Sequence, residues 1–286
     1  MSDAKEQESV DLFDAYFDWD PSVDDSVFEL YRYYGENTVN RVLQKDFICF
    51  RLSAAENFED KMEGKAIEVY YDLALDRLKR AGKITQEEYD VLAYLDISQN
   101  EFFFSKHPVG IQQYTDTKFE EYIICFSSES DDPYMFQNYG EYCLTLTRGN
   151  LLSPLLGREN LRAVLTPVLY GDDIVKYLES KIKEVIDSPD MKRDMTWFIG
   201  EVLHCLQFVA KQSKYSKENE RRLIVYLPEG ETKLIPEIER TESDGKRYIY
   251  LKYSKDLLCG INVWSNYEIA SKDTLNKLNR FGYSIE

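Results

Sequence analysis

The sequence predicts an α+β fold with a helical insertion, and three observations carry that expectation. Strand-like runs rich in aromatic and β-branched residues lie toward both ends of the chain. Helical periodicity is grouped between them. No Gly/Ser- or Pro-rich linker divides the 286 residues. Helices segregated from strands argue against a doubly wound parallel sheet. A hydrophobic content of 43%, with 14% aromatic residues, suffices for a real core.

Each element has its own signal. Residues 27–34 (VFELYRYY) read as an aromatic-rich strand. A helix follows over about 36–45, with Val39, Val42 and Leu43 at helical spacing, and then a strand over 47–52. Residues 65–97 read as helical, with Ile67, Tyr70, Tyr71, Leu73 and Leu78 on one side and a break at Gly82. Thr85 and Glu88 form a capping box that starts another helix. The expected insertion covers about 65–110. Strands are expected at 122–126 and 141–147, flanking a polar loop and a short helix that holds Met135, Asn138 and Tyr139. Residues 161–170 read as extended. Gly171 precedes a helix to about 186, and 191–211 reads as one long helix. Strands are expected at 220–227, 247–253 and 257–264, with a short helix near 274–281. One domain is expected over 27–286.

Composition removes several function classes. No apolar run approaches the ~20 residues of a membrane span, and the start of the chain lacks the pattern of a secretory signal. A soluble cytoplasmic protein is expected, with no membrane partner. The five cysteines are scattered and never spaced C-x-x-C, which favours neither a disulfide framework nor a zinc site. The two histidines, His107 and His204, leave a Ser-His-Asp hydrolase or a histidine-rich metal site without material. His204 reads as a core histidine and His107 as loop.

The net charge is −17, of which residues 1–26 supply −8 through nine acids and one lysine. That arm interleaves its acids with Phe13, Tyr16, Phe17 and Trp19. It is expected to dock on its own domain, on a protein partner or on a second copy of the chain. No Lys/Arg block dominates, so nucleic acid is expected only as an acceptor or through a partner.

Nucleotide-binding loops and metalloprotease motifs are absent. A series of small boxes stands out instead: Leu30-Tyr31-Arg32-Tyr33, then Asn57-Phe58-Glu59-Asp60-Lys61-Met62-Glu63, then Ile124-Cys125-Phe126-Ser127. Met135-Phe136-x-Asn138-Tyr139, Gly140-x-x-Cys143, Val168-x-Tyr170 and Glu218-Asn219-Glu220-Arg221-Arg222-Leu223 follow. In this order the boxes resemble the bacterial family catalogued as domain of unknown function 2971, over residues 28–264. The chain departs from that family's pattern at Glu59, Lys61, Phe136, Asn138 and Arg221. The family is in turn distantly similar to ADP-ribosyltransferases. That resemblance implies a mixed, mainly antiparallel split sheet, NAD as cofactor, and a site made of a first-strand Arg, a middle-strand Ser and a final Glu.

The chemistry of these residues is consistent with such a site. Positive charge develops on the ribose when its bond to nicotinamide breaks, and a carboxylate stabilises it. Glu218 and Glu220, at i and i+2, would share one side of a strand, one holding the ribose and the other orienting the acceptor. Arg32 offers a fork of donors for pyrophosphate. Ser127 would fix the geometry of Glu220, Tyr31, Tyr33 or Tyr139 would stack on nicotinamide, and Asp60 would face the cofactor. Each residue has a structural alternative: ion pairs of Glu218 and Glu220 with Arg221 and Arg222, a pair of Arg32 with Asp60, a loop start at Ser127, core packing for Tyr139, and a helix cap for Asp60.

The functional expectation through the resemblance is an NAD-dependent ADP-ribosyltransferase-like effector of a bacterial defence or toxin system. The alternatives are a non-catalytic interaction or sensor subunit of such a system and an acidic inhibitor protein.

Overall fold

The computed structural model describes residues 28–57, 61–95, 119–155, 161–228, 238–263 and 271–285. The acidic arm, Phe58, Asp60 and His107 lie outside these residues, as do the side chains of Met62 and His204, so the expectations for them do too.

The chain begins with β1 (Glu29–Tyr34), α1 (Glu36–Val42) and β2 (Phe47–Ala54). Next come α2 (Lys61–Arg80) and α3 (Gln86–Ala93). β3 (Phe119–Ser127), α4 (Pro133–Tyr139), β4 (Tyr142–Thr147), α5 (Arg148–Leu152) and β5 (Arg162–Pro167) follow. β6 (Leu169–Tyr170), α6 (Asp172–Asp187), α7 (Pro189–Arg193), α8 (Met195–Leu206) and β7 (Ala210–Lys211) come after them. β8 (Glu220–Pro228), β9 (Ile238–Ser243), β10 (Lys246–Ser254), β11 (Leu258–Val263) and α9 (Lys272–Arg280) complete the series. The fold is α+β.

The chain divides into two compact units. The described part of the first comprises residues 61–95 and 168–216. The insertion expected at about 65–110 is thus one stretch of a unit that also takes a later segment. Its helices bury Ile67, Tyr71, Ala74, Leu75 and Leu78 of α2 and Ile174, Val175, Leu178, Ile182 and Val185 of α6, an apolar stripe at helical period. Leu73, expected on the buried side, is 40% exposed, because the stripe runs through Ala74 and Leu75 instead. The capping box at Thr85 forms as expected, with Thr85 accepting from the Glu88 N–H and Glu88 accepting from the Thr85 N–H.

The long helix expected over 191–211 is divided. Ser188 caps α7 and Pro189 opens it. The Asp194 carbonyl then accepts from Trp197 and Phe198 to begin α8. Ala210 and Lys211 leave the helical path to pair in parallel with Leu169 and Tyr170. Strand pairing overrides the helical periodicity there.

The second unit holds residues 28–57, 119–155, 161–167, 217–228, 238–263 and 271–285 in its described part. Among the described residues its sheet has nine strands, in the order β11-β4-β1-β3-β2-β10-β9, with β8 on β3 and β5 on β8. Every pairing between these strands is antiparallel. β3 has three neighbours. It pairs with β8 along its length, while its other edge meets β2 at Tyr122 and Ile123 and β1 at Ser127. The sheet is split there, between β1 and β2.

Alternation assigns the faces. Leu30, Tyr34, Phe50, Leu52, Tyr122, Ile124, Phe126, Leu144, Leu223 and Val225 join one core with Val39 and Val42 of α1 and Leu278 of α9. The opposite face carries a smaller cluster of Tyr33, Cys143, Met135 and Phe136. β9 was not expected. Its sequence IERTES has no apolar pattern, and it forms because Asp244 (φ 55°) and Gly245 (φ 71°) turn the chain back onto β10, where Ser243 pairs with Lys246.

Candidate functional site

The site is built where β1, β3 and β8 meet beside the split. Tyr31 pairs with Ser127, and Ser127 with Glu220. Directly opposed residues project to the same face, so Tyr31, Ser127 and Glu220 form one row, continued by Thr145 opposite Tyr31 on β4. With strands ~4.8 Å apart, the backbones of Tyr31 and Glu220 are about 10 Å apart.

Arg32 belongs by alternation to the core face, with Leu30 and Tyr34. Its guanidinium reaches the plane of the sheet, where Nη1 donates to the Cys125 carbonyl. Cys125 lies on β3 between Ile123, which pairs with β2, and Ser127, which pairs with β1. Arg32 therefore satisfies a carbonyl that the split exposes. Its Cζ is 5.2 Å from the centre of the Tyr34 ring, and its Nε is buried without a hydrogen-bond partner. Burial works against its charge, but Tyr34, Cys125 and Glu220 outweigh burial and raise its pKa.

Glu220 and Arg222 rise from the same face of β8 and are 5% and 2% exposed. Arg222 Nε donates to Glu220 Oε1 at 2.7 Å. The expected alternative of a surface ion pair is thus corrected in one respect: the pair exists and it is buried. The cross-strand partner of Arg222 on β3 is Cys125. The Cys125 thiol is pushed up to about 12, by burial first and then by the Glu220 charge, with a hydrogen bond to Glu220 adding to it.

Glu218 does not share a strand face with Glu220. Asn219 adopts φ 41°, a left-handed conformation that Asn tolerates, and this breaks the alternation that the i, i+2 spacing assumed. Glu218 ends a 3-10 turn and accepts from the Tyr139 hydroxyl at 2.8 Å. The two carboxylates therefore have separate partners. Tyr139, the last residue of α4, is 45% exposed, and its hydroxyl is engaged by Glu218.

Ser127 starts a loop. Its hydroxyl accepts from the Glu129 N–H at 3.1 Å, while Tyr33 donates to the Glu129 carbonyl at 2.8 Å. Ser128 donates through its N–H to the Asn219 carbonyl at 3.0 Å, and Asn219 Nδ2 donates to Glu129 at 2.7 Å. These bonds tie the end of β3 to the start of β8. Tyr31 donates to Glu29, and burial with the Glu29 carboxylate pushes its phenol up to about 12. A second cationic group lies nearby in sequence. Arg221 stacks 4.3 Å over Phe28, and burial followed by the Arg148 charge lowers its pKa to about 10.

The structure thus brings Tyr31, Ser127 and Glu220 together, with Arg32 beside them and Glu218 and Tyr139 as a separate pair. Asp60 lies outside the described residues. Sequence reasoning missed Arg222 and Cys125 as members of the site. The signal was present, since Arg222 stands at i+2 from Glu220 in a strand. No protein family, curated protein or solved structure matches this chain. Among the described residues no group of three or more His, Cys, Asp or Glu could hold a metal ion, and no helix is long and apolar enough to cross a membrane.

Proposed function

We propose that the protein is an NAD-dependent ADP-ribosyltransferase-like protein. The observation that supports this most is the row Tyr31–Ser127–Glu220 beside the split, with the Arg32 guanidinium in the split itself. The split sheet agrees with the resemblance of the sequence boxes, and a role as an effector of a bacterial defence or toxin system rests on that resemblance alone.

The residues fit a phosphate-bearing dinucleotide. Arg32 retains a buried donor, Nε, with no acceptor, and a guanidinium suits phosphate oxygens. Arg32, Tyr31, Tyr139 and Glu220 would hold NAD, which supplies the ADP-ribosyl group when bound. In this reading Glu220 accepts from a ribose hydroxyl and stabilises positive charge as it develops. Arg32 anchors phosphate oxygens. Tyr31 contributes an aromatic face and a phenol that stays protonated, because its pKa is raised. Glu218, oriented by Tyr139, is the candidate for handling a proton at the acceptor.

A second reading has its own observation. Glu220 and Arg222 form a buried ion pair and Ser127 caps a loop, so the same residues suit a purely structural role in an interaction or sensor module.

Incubation of the full chain with NAD separates the two. Release of nicotinamide, lost in Glu220→Gln with the fold retained, supports transfer. Neither NAD binding by calorimetry nor nicotinamide release by the intact chain leaves the interaction module as the reading.

A further inference from the structure

Arg222 heads the largest fully buried side chains of the described residues, yet the roles above give it no part in the reaction. It sits two residues along β8 from Glu220, between Cys125 of β3 and Thr166 of β5 in the cross-strand register. Thr166 is buried as well, at 4% exposure. A buried ion pair at such a place is a poor source of stability, because removing both charges from water costs about as much as their attraction returns. Its geometry is more informative. The bond runs from Nε, the donor nearest the aliphatic stem, to Glu220 Oε1. Rotation of the Glu220 carboxylate is thereby fixed, and the direction of Oε2 follows from that of Oε1.

We propose that Arg222 is the positioning residue for Glu220, holding its carboxylate in the orientation from which it accepts from the ribose. This rests on the transferase reading above. Cys125 lies opposite Arg222 on the neighbouring strand. The row of Tyr31, Ser127 and Glu220 provides the surface facing the ligand, and Arg222, in the adjacent row between Cys125 and Thr166, holds the carboxylate in place.

The test uses the full chain and the variants Arg222→Met and Arg222→Lys, with NAD as the probe. Three quantities are measured: kcat and KM for nicotinamide release, NAD affinity by calorimetry, and the thermal unfolding midpoint. Misdirecting a reacting group by about 1 Å costs on the order of 100-fold, so Arg222→Met is expected to lose about that factor in kcat. NAD affinity should stay within about threefold, the signature of an interaction that matters in the transition state rather than in binding. Arg222→Lys should recover only part of the loss, because lysine lacks the planar fork.

Wild-type kcat in a folded Arg222→Met or Arg222→Lys protein overturns the proposal and leaves the transferase reading intact. A fall in kcat matched by the same fall in NAD affinity also overturns it, since Arg222 then shapes the pocket rather than the carboxylate. If Arg222→Met does not fold, the lysine variant decides by the same criteria. An intact chain that neither binds NAD nor releases nicotinamide overturns both the reading and the inference.

Discussion

Ser127 and Glu220 oppose one another as the last residue of β3 and the first residue of β8. Loop and strand meet at that pair. The hydroxyl of Ser127 accepts from the loop that leaves β3, and the carboxylate of Glu220 accepts from the strand that it begins. Two elements far apart in the chain are thus pinned side by side at the split.

Removing one member of the buried ion pair should cost more than removing both. Glu220→Ala leaves Arg222 buried without its carboxylate, at about 3–5 kcal/mol. The double variant Glu220→Ala/Arg222→Met should recover a large part of that loss. Chemical denaturation of the two variants checks the difference. Equal stabilities would show that the pair is not coupled.

Gly140→Ala should be strongly destabilising. Gly140 has φ 127°, and an added Cβ would lie 2.1 Å from the Gly35 backbone nitrogen. Strain and overlap together set a cost of at least about 3 kcal/mol. It would be read from the thermal midpoint or from loss of soluble protein. A neutral variant would contradict the close approach of these two backbones.

Thiol reactivity should be graded among the four described cysteines. Burial pushes Cys125 up to about 12, aided by Glu220. Burial also pushes Cys143 to about 12, opposed by a hydrogen bond to Tyr33. Cys259 is exposed. Alkylation near pH 8 followed by peptide mass mapping should modify Cys259 first and leave Cys125 and Cys143 until unfolding, since the thiolate is the reactive form.

The cap of α3 should be sensitive to acid. The Glu88 carboxylate accepts from the Thr85 N–H in the capping box and from Lys192 Nζ at 2.5 Å. The Lys192 hydrogen bond, followed by the Thr85 N–H, lowers its pKa. A depressed carboxylate pKa gives stability that is present above the unfolded pKa and is lost as pH falls through the folded one. Glu88→Gln keeps an acceptor for the Thr85 N–H but loses the charge pair with the half-exposed Lys192, and should cost up to about 1 kcal/mol at neutral pH. The gap from the parent protein should close in acid. Urea denaturation across that range tests the sign.

The sequence by itself determined the α+β class, most strands and several helix starts. Those signals are local: the alternation in Phe47–Ala54, the Thr85–Glu88 box and the stripe of α6 each lie within one element. β9 was missed because its signal is the Asp244–Gly245 turn rather than its own apolar pattern. The tertiary structure alone decided the site. Whether Glu218 and Glu220 share a face depended on one left-handed residue, Asn219, which i, i+2 spacing cannot reveal. Whether Arg222 is a surface cation or a buried one depended on the strands flanking β8, because burial is set by what packs alongside. Arg32 was expected in the site for its charge, but its place in the split follows from a carbonyl that β1 and β2 leave exposed. Strand pairing between distant segments created that opening, and no local pattern encodes it.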